Sequence, residues 1–395
     1  MPQHSRWLAA LLAALSAIGP FSIDTYLPAF PAMAAALGAS PLQVQQTLTA
    51  YMLTFAFMTL WHGALSDRYG RRGPLVLAMG LFAFASLLCA FAPSIEWLWA
   101  GRALQGMSAG AGMVVGRAMV RDLYDGAQAQ RLMSRVMLIF ALAPAVAPLV
   151  GGVLLAVAGW RAVFFFLAAF GGALGWLSWR YLPETLPPAA RQPLNAASLA
   201  RGYRAVLGSG AFLLLGMALA LNFNGFFVYV LSAPVFVMDH LGLGELDFGW
   251  LFVPAVAGMM MGAWVSGRVA GHWSARRSIC AGFALMLGAA LLNVVHAGLM
   301  PATVPGSVLP IALYTFGMGL AMPSLTLLAL DLFPQRRGMA ASCQSFLQVG
   351  TNALTAAFIA PLVWPLPVTL ALAMSAFCAL GLLAFVLWAR RQPAG

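Results

Sequence analysis

The sequence predicts an all-α membrane protein with twelve transmembrane helices in two pseudo-symmetric six-helix bundles. Sixty-two per cent of its residues are hydrophobic and 8% are charged, compared with about 45–50% and about 25% in soluble domains. A transmembrane helix needs about 20 predominantly apolar residues, and a chain of 395 residues has room for twelve. Because lipid offers the backbone no hydrogen-bond partners, these segments are helices.

Twelve apolar runs follow one another along the chain, and each is taken as one span. The spans, numbered 1 to 12, are residues 8–32, 43–65, 74–92, 96–119, 130–157, 161–182, 208–237, 247–270, 278–299, 306–332, 338–362 and 366–389. Span 1 follows Arg6 in the manner of a signal peptide. Its apolar sequence continues to Phe30, however, which is too long for a signal peptide, and no convincing cleavage site follows.

The longest polar interruption separates six spans from six. It divides the chain into an N-terminal bundle (1–182), a cytoplasmic linker (183–207) and a C-terminal bundle (208–395). The loop from Gly63 to Gly73 has a fainter counterpart between Gly262 and Arg277, which indicates a duplicated six-helix unit with the substrate site between the halves. Residues 197–207 are either an amphipathic helix on the inner membrane surface or a solvated linker.

The basic residues, all of them arginines, predict the orientation. With a cytoplasmic N-terminus, every arginine except Arg102 and Arg161 falls on the inner side, as the positive-inside rule requires. We therefore expect a multi-pass membrane protein with both termini in the cytoplasm. The net charge of +11 reflects membrane insertion rather than nucleic-acid binding, because no single face collects the arginines outside the loops.

Two charged residues lie deep within spans, where charge is costly and is functional by default. They are Asp24 in span 1 and Arg102 in span 4, and their depths in the outer half match. Desolvation favours a protonated carboxyl group and a nearby guanidinium opposes this, whereas arginine stays charged. Asp24 is thus a candidate for proton coupling together with Arg102. Alternatively, Asp24 forms only local hydrogen bonds in a proline-flanked, partly unwound helix.

The charged turn between spans 2 and 3 contains one acid and three arginines within eleven residues, Gly63 to Gly73. It resembles the signature G-x-L-x-D-R-x-G-R-R of the major facilitator superfamily. The resemblance implies a pair between Asp122 and Arg71, with Asp67 facing the start of span 11, where a helix N-terminus favours a carboxylate. The conformational gate implied in this way consists of Gly63, Asp67, Arg68, Gly70, Arg71, Arg72 and Asp122.

Spans 4 and 5 carry two further motifs. Residues 102–106 resemble the superfamily motif R-x-x-Q-G, whose arginine is linked to proton handling. Span 5 resembles the antiporter motif of drug exporters through Pro144, Pro148, Gly151 and Gly152, although Ala147 replaces the glycine before the second proline. Two prolines four residues apart predict a kink. A packing kink without meaning for the direction of transport is the alternative.

Three further strings narrow the resemblance. They are Ser22-Ile23-Asp24-Thr25-Tyr26-Leu27-Pro28-Ala29, Val120-Arg121-Asp122-Leu123-Tyr124 and Leu182-Pro183-Glu184-Thr185-Leu186. Together they resemble the Bcr/CflA branch of twelve-helix drug:proton antiporters. This resemblance implies proton-coupled export of chloramphenicol- or bicyclomycin-type compounds by alternating access, in the bacterial cytoplasmic (inner) membrane. A metabolite exporter or an uptake symporter of the same fold stays open.

The remaining expectations concern cofactors, partners and enzymatic activity. We expect no enzyme, no cofactor beyond the proton gradient and no metal, because the spans contain no His/Asp/Cys cluster. A nucleotide-driven pump is excluded, because the phosphate-binding motif G-x-x-x-x-G-K-[ST] needs a lysine and the chain has none. The expected partners are a small-molecule substrate and the lipid bilayer, with the protein acting as a monomer.

Candidate substrate-cavity residues are chosen by their polarity within spans. They are Tyr26 of span 1, Gln46 and Tyr51 of span 2, Asn222, Asn224 and Tyr229 of span 7, and Gln344, Gln348 and Asn352 of span 11. The last three follow i, i+4, i+8 spacing and share one helix face. The alternative for each residue is an interhelical hydrogen bond that only holds the helices together.

Overall fold

The computed structural model describes residues 3–123, 126–191, 196–270, 272–333 and 337–391. In these ranges the chain is helical, and an isolated bridge between Ala270 and Trp273 is the one β-type pairing. Ten of the described helices are long and apolar enough to cross a membrane. The chain divides into two compact units, unit 1 (Met1–Leu199) and unit 2 (Ala200–Gly395).

Unit 1 contains eight helices and the start of a ninth. They are α1 (Gln3–Asp24), α2 (Phe30–Leu37), α3 (Pro41–Tyr69), α4 (Arg72–Ala90), α5 (Ile95–Ala109), α6 (Ala111–Leu123), α7 (Gly126–Ala158), α8 (Trp160–Tyr181) and the start of α9 (Ala196–Leu207).

The described helices of unit 2 continue from the end of α9. They are α10 (Gly210–Leu231), α11 (Gly249–Val269), α12 (Ala275–Leu299), α13 (Leu309–Asp331), α14 (Arg337–Leu354), α15 (Ala360–Val363) and α16 (Pro367–Arg390). Short π-helical turns follow α10, at Val235–His240, and join α14 to α15, at Thr355–Ile359.

In two predicted spans the helix is interrupted, although the apolar sequence of each span is continuous. Span 1 ends its regular helix at Asp24 and continues through a 3-10 turn, Leu27–Ala29, into α2. Prolines at positions 28 and 31 lack the N–H groups that a continuous helix needs. Span 4 breaks at Gly110, where an added Cβ would come within 2.6 Å of the Phe55 ring.

Span 5 and the predicted linker can also be located in the structure. Helix α7 is continuous through both prolines of span 5. Residues 196–207 form helix α9 rather than an irregular linker, with Val206 fully buried. Among the arginines assigned to the inner side, Arg336 and the side chains of Arg6, Arg121, Arg131, Arg135 and Arg337 lie outside the described part of the chain.

Glycines allow the helices of each unit to approach until backbones touch. In unit 1, a Cβ on Gly106 would overlap the carbonyl oxygen of Tyr51, and one on Gly112 would overlap that of Leu15. In unit 2, Gly258 and Gly262 of α11 approach carbonyl groups of α13 in the same way. Small residues at helix crossings are the usual means of close packing in membranes.

Candidate functional site

Arg102, in α5 of unit 1, has no solvent exposure. Its guanidinium carbon is 4.3 Å from the ring centroid of Tyr26 and 4.4 Å from that of Tyr51. Each ring therefore offers a cation–π contact, which is worth about 2 kcal/mol when desolvated. The two tyrosines assigned to the substrate cavity by their polarity are thus the residues that cover the deep arginine.

One end of the Arg102 guanidinium is hydrogen-bonded and the other is not. Nη1 donates to the carbonyl oxygen and Oγ of Ser22, both at 3.1 Å, and to Oε1 of Gln105 at 2.7 Å. Gln105 is held in turn because its Nε2 donates to Ser86 Oγ at 2.6 Å. The Nε and Nη2 atoms of Arg102 are buried without a hydrogen-bond partner, so the group retains donors for another acceptor.

Asp24 occupies the last position of α1, and 3% of its surface is exposed. Among the described residues, no ion pair joins it to Arg102. The hydroxyl groups of the flanking tyrosines are engaged elsewhere: Tyr26 with Thr47 Oγ1 at 3.0 Å, and Tyr51 with the Gly19 carbonyl oxygen at 3.3 Å. Asp24 therefore lies in the same helical core as Arg102 without a direct salt bridge.

The turn between α3 and α4 is organised around the Arg71 side chain, which is 8% exposed. Its Nε donates to Asp122 Oδ2 at 2.9 Å, which is the pair that the family resemblance implies. Its Nη1 donates to Ser66 Oγ at 2.8 Å and forms an ion pair with Asp67. Burial lowers the pKa of Arg71, but the hydrogen bonds to Asp122 and Asp67 outweigh it, and the net shift of this pKa is upward.

The sequence did not assign a role to Glu184 and Thr185, which complete this network from the segment after α8. The Glu184 carboxylate accepts hydrogen bonds from the backbone N–H groups of Arg71 and Arg72, at 2.8 and 3.2 Å. Partial burial alone would raise the pKa of Glu184. The hydrogen bonds from these N–H groups and from that of Leu186 have a larger, opposite effect, so the pKa of Glu184 lies below its ordinary value. The hydroxyl group of Thr185 donates to Asp122 Oδ2 at 2.8 Å.

The other members of the predicted gate lie around the same turn. Gly70 has a φ of +92°, in the region that favours glycine. Arg68 lies over the ring of Tyr69, with 5.4 Å between its guanidinium carbon and the ring centroid, and Arg72 donates through Nη2 to the Trp179 carbonyl oxygen. A Cβ added to Gly63 would lie 3.8 Å from Cγ1 of Val114, which is an ordinary van der Waals contact.

The residues of the antiporter motif lie in α7, and one of them touches the backbone beside Asp24. A Cβ on Gly151 would overlap the carbonyl oxygen of Thr25, so α7 approaches the end of α1 through this glycine. Pro148 and Gly152 are buried and Pro144 is half-buried. The motif therefore contributes a close helix contact next to the deep carboxylate.

Polar candidates of unit 2 form two buried groups. Asn224 Nδ2 donates to Asn352 Oδ1 at 2.9 Å, while Asn224 Oδ1 has no hydrogen-bond partner. Both side-chain amide atoms of Asn222 are buried without a partner, although its backbone carbonyl accepts from the Tyr314 hydroxyl at 3.0 Å. Tyr229 accepts from Asn293 Nδ2 at 2.6 Å, and sequence reasoning did not select this asparagine of span 9.

The remaining candidates from spans 2 and 11 differ in exposure. Gln344 is 6% exposed and its Nε2 has no hydrogen-bond partner. Gln348 and Gln46 are half-buried. Gln45, on the same helix as Gln46, is fully buried with both amide atoms unpartnered. Unpaired buried amides are costly unless a ligand or water satisfies them.

The second loop of the repeat, between α11 and α12, is fastened differently from the first. Arg268 lies over Trp264 with 4.6 Å from its guanidinium carbon to the ring centroid, and Arg277 lies over Trp273 at 4.9 Å. No carboxylate of the described chain forms an ion pair with either arginine. As far as the structure describes the chain, it also holds no group of three or more His, Cys, Asp or Glu residues able to bind a metal.

Comparison with known proteins adds to this geometry. The sequence pattern of the Major Facilitator Superfamily matches residues 10–350. The chain is 30% identical to multidrug resistance protein D of Escherichia coli over 88% of this chain and 87% of that protein. It is 31% identical to the chloramphenicol resistance protein of Pseudomonas aeruginosa, covering 80% and 76% of the two chains.

Two further similarities bear on branch and fold. The chain is 31% identical to a bicyclomycin resistance protein homologue of Haemophilus influenzae over 65% of each chain. Its fold is similar to the crystal structure of a bacterial homologue of the human lysosomal transporter Spinster, with a TM-score of 0.74, 15% identity and full coverage of both chains. These relatives agree with the resemblance that the motifs of the first half carry.

Proposed function

Since the chain belongs to the major facilitator superfamily, in its Bcr/CflA branch, we propose that it is a proton-driven exporter of small drug-like compounds. The observation that carries this proposal is a single deep carboxylate, Asp24, in the same helical core as a permanently charged guanidinium with unused donors. Relatives named for multidrug, chloramphenicol and bicyclomycin resistance support export and indicate chloramphenicol- or bicyclomycin-type compounds as substrates.

The proposed coupling depends on the unequal chemistry of Asp24 and Arg102. Arginine keeps its proton in proteins, so Asp24 is the member of the pair whose charge changes. When ionised, Asp24 can accept a hydrogen bond from a free Arg102 donor, Nε or Nη2; when protonated, it releases that donor. Uptake of a proton from outside and its release inside thus change the packing of α1 against α5.

Substrate binding is assigned to the amide-rich groups of unit 2. Asn222, Asn224 and Gln344 carry buried polar atoms without partners, and these can bond the hydroxyl and amide groups of a substrate. Small-molecule sites are commonly apolar with few such polar groups, and Phe223 and Phe227, stacked with their centroids 5.4 Å apart, supply an apolar wall. Moderately apolar, hydrogen-bonding compounds fit this chemistry.

The proposed gate is the Arg71 network, which controls the change of access rather than substrate affinity. Arg71 bridges carboxylates of α3 and α6, so it ties together two helices of unit 1. The antiporter motif of α7 contacts the backbone beside Asp24 through Gly151. In the proposed mechanism this contact links the coupling site to α7, whose motif is typical of exporters. We further propose a monomer in the bacterial inner membrane, with both termini cytoplasmic and no cofactor besides the proton gradient.

The test uses everted vesicles energised to acidify their interior, with a dye that reports the pH difference. Chloramphenicol or bicyclomycin-like compounds should release protons and restore dye fluorescence in vesicles with the wild-type protein. Asp24→Asn should abolish the response at equal expression, because it removes the titratable group. Asp239→Asn, the same change at an exposed position after α10, is the matched control and should respond like wild type.

Two outcomes contradict the proposal. Full response by Asp24→Asn would remove this carboxylate from the mechanism. No response to any compound by a well-expressed wild-type protein would remove drug export, and a metabolite carrier would be sought by fractionating cell extracts.

A further inference from the structure

We propose that Glu184 and Thr185 are positioning residues of the gate, which together hold Arg71 in its bridging position between Asp67 and Asp122. This inference rests on the gate role proposed above. The two residues follow α8, more than a hundred positions after the turn that they hold, and neither belongs to the charged motif of that turn.

Glu184 holds the backbone from which the Arg71 side chain departs. Its Oε1 accepts from the N–H groups of Arg71 and Leu186, at 2.8 and 3.0 Å, and its Oε2 accepts from that of Arg72 at 3.2 Å. The first N–H groups of a helix have no partner within the helix. A carboxylate at the start of α4 satisfies two of them and also interacts favourably with the helix dipole.

Thr185 holds the carboxylate to which Arg71 binds. Its hydroxyl group donates to Asp122 Oδ2 at 2.8 Å, and the same oxygen accepts from Arg71 Nε at 2.9 Å. The threonine therefore fixes the orientation of the Asp122 carboxylate while leaving that oxygen within reach of the guanidinium. The position of Arg71 is thus fixed by Glu184 at its backbone and by Thr185 through its partner Asp122.

Gly70 makes the approach of Glu184 possible. Its φ of +92° is unfavourable for other residues, and a Cβ there would overlap the Glu184 carboxylate. Arg191 also lies close, with its Nη2 3.1 Å from the same position. The segment after α8 therefore packs directly against the turn between α3 and α4, through the contact of Glu184 with Gly70.

Glu184 and Thr185 should affect the transport cycle only through the gate. Because Glu184 and Thr185 act through Arg71 and Asp122, their loss should change the rate of the access change and leave substrate affinity unaltered. A residue with only a general structural role would instead lower the amount of folded protein without separating turnover from affinity.

The test compares Glu184→Gln, Thr185→Val and Thr185→Ser in purified protein and in everted vesicles. Thr185→Val keeps the side-chain shape without the hydroxyl donor, and Thr185→Ser restores that donor. Glu245→Gln, the same chemical change in the segment before α11, is the control. Hydrogen exchange of the peptide containing Arg71 and Arg72, Kd for radiolabelled chloramphenicol and proton-coupled turnover are measured for each protein.

Glu184→Gln should accelerate exchange at Arg71 and Arg72 about fivefold, as expected for one weakened charge-assisted hydrogen bond at a partly exposed site. Glu184→Gln and Thr185→Val should each slow turnover several-fold at unchanged Kd, while Thr185→Ser and Glu245→Gln behave like wild type. Unchanged exchange in Glu184→Gln, normal turnover in either variant, or an equal loss in Thr185→Ser would overturn the inference. If wild type transports none of the compounds tested, the proposed drug export fails, and exchange still decides whether Glu184 holds the turn.

Discussion

Gly151 provides the sharpest test of how unit 1 is packed. A Cβ at this position would overlap the carbonyl oxygen of Thr25 and lie 3.2 Å from its Cα atom. The obstacle is backbone, so no change of rotamer can relieve it, and Gly151→Ala must push α7 away from the end of α1. Gly80, in the interior of α4, is the matched control because an added Cβ there meets no atom within 4 Å.

The expected effects of the two substitutions have opposite signs. Severe overpacking costs about 3 kcal/mol, and the better helix propensity of alanine offsets about 1 kcal/mol of it. Gly151→Ala should therefore be destabilised by about 2 kcal/mol, and Gly80→Ala should be stabilised by about 0.5–1 kcal/mol. At about 2–4 °C per kcal/mol for a domain of 150–250 residues, the two variants should melt about 5–12 °C apart.

The assay is thermal unfolding in detergent, followed with a thiol-reactive fluorophore that labels buried cysteines as they become exposed. Cys89, Cys343 and Cys378 are buried and serve as reporters, and the exposed Cys280 is blocked beforehand. Because Thr25 adjoins Asp24, Gly151→Ala should also lose proton-coupled export. The reasoning is refuted if Gly151→Ala melts at or above the temperature of Gly80→Ala.

Two further predictions concern the gate and the substrate groups. The pKa of Glu184 is lowered in the folded protein, so its stabilisation is present above its ordinary pKa of 4.5 and is lost as pH falls through the lower folded value. The melting temperature of wild type should therefore exceed that of Glu184→Gln at pH 7. The difference should shrink as pH falls below 4.5 and vanish only when the pH is below the lowered folded pKa. An unchanged difference at low pH would contradict this assignment. Gln348→Ala should alter the relative export of different compounds more than the proton dependence, measured as dye recovery across the panel, and an identical profile would reduce the residue to packing.

The charged turn and its pair with Asp122 could be predicted from sequence because the charges of the turn stand between apolar runs. A short turn with Asp67 and three arginines has few possible structures, and the family pattern then supplied Asp122 as a partner, which the structure contains at 2.9 Å. Glu184 was visible only as part of a family string. Its contacts reach across 113 positions to Arg71, and no local periodicity signals a bond of that separation.

The surroundings of Arg102 could not be predicted in the same way. A tyrosine within a span is polar whether it lines a cavity or covers a cation, so Tyr26 and Tyr51 were assigned by polarity to the cavity. Only the packing of α3 and of the segment just after α1 around α5 places both rings on the guanidinium. The break at Gly110 was missed for a related reason, because hydropathy averages over a window and does not detect one glycine against the Phe55 ring.

The covered position of Arg102 has a consequence for how the membrane potential acts on transport. Its charge is fixed between two rings, and Asp24 is the one acid that the sequence places deep within a span. In the proposed cycle, one proton therefore enters per turnover, and the charge of the substrate decides the net charge moved. A neutral compound is driven by the electrical and chemical parts of the proton-motive force together, with about 2.3 kcal/mol added per 100 mV. A monovalent cation exchanges without net charge, and only the pH difference drives it.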